Sequence, residues 1–255
     1  MFTYNLDPVL FSLGPFEIRY YGLVYAFAFI AAYFILRRYS KAKKLNLTYD
    51  EIDTLLIYLI LGVIIGSRLF EIIFWQPGYY FSDPIKMLYI WEGGMSFHGG
   101  LSGIIVAGLL FVRKHKVGFF ELADIVAIPA MLFLALGRIA NFINAELPGK
   151  ITDVSWCVNF PGFDGCRHPY QLYSAAARFL IFGLLLYLSS RKFKAGFIFW
   201  NFVLLDGIAR FILDFWKDDV LYFGLAMGQY LSIVMVIVAG YFLIKHHGKD
   251  FRVLS

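Results

Sequence analysis

Two groups of polar residues stand in stretches that are otherwise apolar. Arg138, Asn141, Asn144 and Glu146 follow one another at intervals of three, three and two; Asp206, Arg210 and Asp214 follow at intervals of four. On a helix the second set shares one face, and the three leading residues of the first spread over an arc of about 120°. Guanidinium, carboxamide and carboxylate groups so arranged can hold an anion in a low-dielectric site. The same groups can also serve only as ion pairs and hydrogen bonds that hold membrane helices together. Arg68, Glu71 and Arg178 also fall inside apolar stretches. A charge at the centre of a bilayer helix costs about 2.5–3.5 kcal/mol. Arg68, Glu71, Arg138, Arg178, Asp206, Arg210 and Asp214 together, unpaired, would cost roughly 20 kcal/mol, more than the net stability of most domains. They must be paired, near an interface, or lining a wet cavity.

The elements that position them are membrane helices. Of 255 residues, 60% are hydrophobic and only 16% charged, with a mean hydropathy of +0.68, whereas a soluble domain carries about a quarter charged residues. The apolar surplus exceeds what one soluble core could hide. Seven segments approach the roughly 20 residues a bilayer helix needs: Ile18–Leu36, Thr54–Trp75, Gly94–Val112, Phe119–Ala145, Pro169–Ser190, Ala195–Trp216 and Val220–Ile244. No cleavable signal peptide is expected, because the first apolar stretch is long and lacks a basic lead. No repeat or soluble domain interrupts the pattern, so residues 1–255 read as a single membrane-embedded domain and an all-α polytopic fold.

Basic residues orient the spans. Arg37, Arg38, Lys41, Lys43, Lys44, Arg113, Lys114, Lys116, Arg191, Lys192, Lys194, Lys245, Lys249 and Arg252 fall on one side, and Arg19, Lys86, Lys150, Arg167 and Lys217 on the other, 14 against 5. The positive-inside rule then puts the N-terminus outside and the C-terminus in the cytoplasm. Basic clusters in such loops are topology signals, so the net charge of +5 does not imply a nucleic-acid partner. Trp75, Tyr79, Tyr80, Trp91, Trp156, Trp216 and Tyr222 fall at or beyond outer helix ends, where amphipathic rings prefer the interface. The Pro- and aromatic-rich stretch from Trp75 to Glu92 reads as a segment lying on the outer surface. Counting 1.5 Å per residue, Arg210 lies about 9 Å, Arg138 roughly 12 Å, Arg68 about 10 Å and His98 about 6 Å from the outer end of its span. The charged residues gather toward one face.

Several readings stay open at this point. Arg178 alone reads as a structural ion-pairing residue, and Arg68 is undecided. Cys157 and Cys166 share one polar connection and match no zinc spacing; they are either two thiols or, on an oxidising side, a loop disulfide. The remaining histidines, His115, His168, His246 and His247, lie in loops or the tail, and nothing points to a metal or nucleotide cofactor. A transporter or channel for an anionic solute is one rival, although such sites usually lie at the midplane between repeats. A non-catalytic lipid-binding scaffold is another.

The run from Gly137 to Gly149, G-R-I-A-N-F-I-N-A-E-L-P-G, resembles the signature G-R-x-x-N-F-x-N-x-E-x-x-G of the bacterial prolipoprotein diacylglyceryl transferases, with every specified position present. Tyr20-Tyr21-Gly22, the run Gly93 to Gly100, Arg167-His168-Pro169, Gln171-Leu172-Tyr173 and Met227-Gly228-Gln229 are similar to further family motifs, so the likeness covers nearly the whole chain. There are departures: Ser174 and Arg178 stand where the family has acidic residues, Asp214 where it usually has Glu, and Asp206 where a Tyr often precedes the arginine by four.

The resemblance implies a seven-helix fold with an outward N-terminus in the bacterial inner membrane, its active site toward the extracytoplasmic leaflet. It implies transfer of a diacylglyceryl group from phosphatidylglycerol to the lipobox cysteine thiol of a prolipoprotein, releasing glycerol 1-phosphate. Arg138 and Arg210 are then expected to bind the head-group phosphate and stabilise the leaving monoester. Asn141 and Asn144 would bond the head group or orient Arg138, and Glu146 and Asp214 would position the arginines. His98 is a candidate general base for the thiol, or merely bridges helices; Tyr21 bonds phosphate or peptide, or is a plain interfacial tyrosine. Gly149 is expected to supply a turn. Membrane lipids are the remaining partners, no cofactor is implied, and a monomer is expected.

Overall fold

The computed structural model describes residues 2–13, 16–42, 47–90, 94–248 and 250. Lys43, Lys44, Lys249 and Arg252 of the basic set, Trp91, Glu92 and Gly93 lie outside the described residues, as do the side chains of Tyr21, Lys41 and Phe97. The chain is mostly helical: α1 (Tyr20–Ala42), α2 (Tyr49–Phe70) running on into a π-helical turn (Glu71–Trp75), α3 (Pro77–Ser82), a 3₁₀ turn (Pro84–Leu88), α4 (Phe97–His115), α5 (Phe119–Ile143), α6 (Tyr170–Ser189), α7 (Phe197–Leu213) and α8 (Met227–His247). Every predicted span overlaps one of the long helices. Among the described residues, four are long and apolar enough to cross a membrane: Tyr49–Trp75, Phe119–Ile143, Tyr170–Ser189 and Met227–His247.

The ends differ from the predicted bounds for local reasons. Ile18 and Arg19 belong to β3 (Phe16–Arg19), paired antiparallel with β2 (Val9–Leu13), so α1 begins only at Tyr20. Thr48 and Glu51 form a capping box that starts α2 five residues ahead of the predicted Thr54, satisfying backbone donors that have no intrahelical partner. Val220–Ala226 is not helical. Phe223 and Gly224 both take positive φ and join β5 (Leu221–Tyr222) to β6 (Leu225–Ala226) in a tight hairpin, so α8 starts at Met227. The stretch after Trp75 forms short helices started by Pro77 and Pro84, where a residue without an N–H costs no hydrogen bond.

The chain forms two compact units, Leu36–Leu122 and the combination of Met1–Ile35 with Ala123–Ser255. In the first, α2 packs on α4 through Gly62, Gly66, Gly99 and Gly103; a Cβ at any of the four would run into the facing backbone. Close backbone approach of this kind lets dispersion act between membrane helices. Arg68 is buried here and grips the chain that follows α2. Its Nε donates to the Met87 carbonyl at 3.0 Å, Nη1 to Gly94 at 3.1 Å, and Nη2 to Lys86 at 2.5 Å and Tyr89 at 3.1 Å. The guanidinium also stacks 4.6 Å above the Tyr80 ring.

In the second unit α7 packs against both α6 and α8. Asp124, a buried charge of α5 that the count of intramembrane residues passed over, accepts from the Gly196 and Phe199 amides at 2.8 Å each and so caps the start of α7. Gly196 has φ of 97°, a left-handed backbone that suits glycine. The connection between α5 and α6 is tied down at several points. Cys157 and Cys166 form a disulfide, β1 (Phe2–Thr3) pairs in parallel with β4 (Val158–Asn159), and Tyr4, Val158 and Phe160 pack on Phe142 and Ala145 at the end of α5. Arg167 donates to the Gly149 carbonyl at 3.2 Å and to Asp218 at 2.6 Å.

Candidate functional site

The site is built first from the end of α5. After Ile143 the chain turns back through Ala145 and Leu147, both with φ of 55°, and the Glu146 amide returns to the Asn141 carbonyl at 2.9 Å. Non-glycine residues seldom take this left-handed conformation, and here it folds Glu146 under the helix it follows. Its carboxylate then accepts from Asn141 at Oε2 and from Asn144 at Oε1, each at 3.1 Å. Asn141 Oδ1 in turn faces Arg138 Nη1 at a long 3.4 Å. The four residues picked out by their spacing therefore form one chain of contacts, with the asparagines oriented by the glutamate.

The start of α6 and the end of α7 supply the rest. Gln171 donates to the Glu146 carbonyl at 2.6 Å, fastening α6 to that turn. Arg210 and Asp214 lie one helical turn apart, with Nε to Oδ2 at 3.5 Å. The Tyr170 hydroxyl donates to the other oxygen, Asp214 Oδ1, at 2.5 Å, and the Arg138 guanidinium lies 5.8 Å above the Tyr170 ring. Tyr170 and Asp214 thus stand between the two arginines. Gly228, at the start of α8, presses on the same pair: a Cβ there would fall 2.5 Å from Asp214 Oδ2 and 2.9 Å from Arg210 Nη2. Among the described residues the only hydrogen bond of the Arg138 side chain is the long one to Asn141, so most of its five donors are not engaged.

The expected shared face of Asp206, Arg210 and Asp214 holds only in part. Asp206 turns to α6 and pairs with Arg178 at 3.0 Å, and Arg178 also donates to the Ser174 hydroxyl. Both side chains are at most 10% exposed. Each is the other's ionic partner, in keeping with the structural reading of Arg178. Gly149 does not make a positive-φ turn. It lies where two strands of loop cross, its amide donating to the His168 carbonyl at 2.9 Å, and a Cβ would meet the Trp216 and His168 carbonyls. Its requirement is space. His168 itself lies beside Tyr173, Nδ1 to Oη 3.2 Å, and burial lowers the affinity of its imidazole for a proton.

His98 is the second residue of α4 in the Leu36–Leu122 unit and is exposed. Tyr21 is the second residue of α1. A cavity of about 390 Å³ lies by the end of α5, lined by Asn5, Leu6, Asp7, Val9, Tyr20 and Ile143. Tyr170 and Gln171 are the site residues that a search for buried charge misses, since neither is charged. Their one sequence signal is position: they follow His168-Pro169 directly, and Gln171 opens a motif already noted.

A family model described as prolipoprotein diacylglyceryl transferase matches residues 8–245. The phosphatidylglycerol–prolipoprotein diacylglyceryl transferase of Geobacter sulfurreducens is 46% identical over 241 residues, covering 92% of this chain and 93% of the relative. The protein of the same description from Bordetella parapertussis is 42% identical over 249 residues, with 94% and 95% covered. That of Chromohalobacter salexigens is 42% identical over 247 residues, with 93% and 91% covered.

Proposed function

The chain belongs to the prolipoprotein diacylglyceryl transferase family, and from that premise we propose that Arg138 and Arg210 hold the phosphate of its lipid substrate. The enzyme is a membrane transferase that moves the diacylglyceryl group of phosphatidylglycerol to a prolipoprotein. The cysteine sulfur attacks the diacylglyceryl carbon that carries the phosphate. A C–S bond forms as the C–O bond breaks, and glycerol 1-phosphate leaves with an additional negative charge. Two guanidinium groups oppose that charge as it develops. The observation that carries this reading is that Arg138 and Arg210 flank one Tyr170–Asp214 pair, while most of the Arg138 donors are unengaged among the described residues.

Asn141 and Asn144, aimed by Glu146, bond the head group beside Arg138, and Asp214 aims Arg210. Gly149 keeps the loop crossing narrow. The thiol must be a thiolate to attack; His98 takes its proton, and Tyr21 bonds phosphate or peptide. All seven long helices span the bilayer of the bacterial inner membrane, with the N-terminus outside, the C-terminus in the cytoplasm and both compact units acting as one transferase domain. The Cys157–Cys166 disulfide supports an outward placement of the α5–α6 connection, because such bonds persist in oxidising compartments. The enzyme works as a monomer.

The test is direct. Purified protein is incubated with phosphatidylglycerol vesicles and a lipobox peptide, and the peptide is weighed by mass spectrometry. A diacylglycerol adduct with release of glycerol 1-phosphate is expected, and none with a cysteine-to-serine peptide. Absence of the adduct where a relative produces it would overturn the reading. Full turnover by His98→Ala would remove the general-base role alone.

A further inference from the structure

We propose that Tyr170 is a positioning residue that holds Asp214 off Arg210, leaving the guanidinium donors of Arg210 for the substrate; this rests on the function proposed above. Tyr170 is the first residue of α6 and is 2% exposed. Its hydroxyl donates to Asp214 Oδ1 at 2.5 Å, while Asp214 Oδ2 stands 3.5 Å from Arg210 Nε. The Asp214 side chain is only 1% exposed, and Oδ2 accepts no hydrogen bond among the described residues. A buried carboxylate one turn from an arginine would ordinarily close into a forked pair at about 2.7–2.9 Å. Here one oxygen is tethered from another helix, and the pair stays open.

A forked pair would occupy two guanidinium donors and neutralise the charge that a phosphate needs. The tether prevents this while keeping Asp214 close enough to hold the Arg210 side chain in place. The same ring lies 5.8 Å beneath the Arg138 guanidinium, within the range of a cation–π contact. One side chain therefore sets both arginines: the hydroxyl acts through Asp214 on Arg210, and the ring acts on Arg138. Arg178 and Asp206 are also near, but they are paired with each other and leave Asp214 to Tyr170 and Arg210.

The experiment follows glycerol 1-phosphate release from phosphatidylglycerol in mixed micelles, with a saturating lipobox peptide. Tyr170→Phe keeps the ring and removes the tether, so kcat/KM for the lipid is expected to fall about tenfold, with a fall of only about 2–4 °C in melting temperature from the lost hydrogen bond. Tyr170→Leu removes both and is expected to lose about a hundredfold. A double-mutant cycle separates positioning from general structural support. If the hydroxyl works through Asp214, adding Tyr170→Phe to Asp214→Asn costs no further activity. Wild-type kinetics for Tyr170→Phe would overturn the proposal, and so would losses that multiply in the double variant. Should Asp214→Asn not survive purification, Arg210→Lys takes its place in the cycle, with the same two outcomes. An inactive wild-type protein would instead refute the transferase reading, so the two failures are distinct.

Discussion

Arg68 and Arg138 look alike in the sequence, each a lone arginine in an apolar span, and the structure gives them opposite employment. Arg68 directs its donors at four backbone carbonyls between Lys86 and Gly94 and rests on Tyr80. It is a clamp that shapes the chain after α2. Among the described residues Arg138 makes one long bond to Asn141, and it stands over an aromatic ring. Charge in an apolar span is therefore not itself the mark of a site; the contrast is that Arg68 is buried with its donors on backbone carbonyls, whereas Arg138 is only partly buried and has, among the described residues, one long hydrogen bond. Arg178 is buried like Arg68 and is paired with Asp206 and Ser174.

Substitutions can break this contrast or sharpen it. Arg138→Ala is expected to lower product formation at least about 10³-fold, the order found on removing charge stabilisation from a transition state, with little change in thermal stability. A comparable loss of melting temperature would place Arg138 with Arg68. Asp206→Asn leaves Arg178 without its counter-charge and should destabilise by about 3 kcal/mol. Chemical denaturation in detergent measures it, and an unchanged midpoint would show the pair to be dispensable. Arg68→Ala should cost about 2 kcal/mol of stability through its stranded carbonyls, while turnover per folded molecule stays within about threefold of wild type, since hydrogen bonds to backbone carbonyls serve only the fold. A selective loss of turnover would make the clamp part of the chemistry. Gly228→Ala has the mildest expected effect, about a tenfold fall in rate, equal to about 1.4 kcal/mol, because the new Cβ displaces the Arg210–Asp214 pair.

Much of this arrangement was legible in the residues. Hydropathy located all seven long helices, and the spacing from Arg138 to Glu146 identified a group that the structure does hold together. The limits are physical. Helical periodicity says which residues share a face and nothing about the partner opposite, so Asp206 was grouped with Arg210 although it bonds across to Arg178. Tyr170 carries no charge, and only tertiary packing brings its hydroxyl to Asp214. Hydropathy alone starts α8 seven residues early, because Val220–Ala226 is as apolar as a helix and its reversal depends on two residues, Phe223 and Gly224.

The glycine seam between α2 and α4 has a consequence for how the protein is made. Both helices belong to a unit that is continuous in the chain, Leu36–Leu122, whereas the other unit needs Met1–Ile35 together with everything from Ala123 onward. Domains fold as they leave the ribosome, N-terminal parts first. The seam can close while α5 is still being synthesised, but the arginines of the site can meet only after α7 has emerged. The Arg138–Asn141–Glu146 contacts can form once α5 has emerged, but Tyr170 and Asp214 join them only after α7 is made, so the candidate site is completed late in translation.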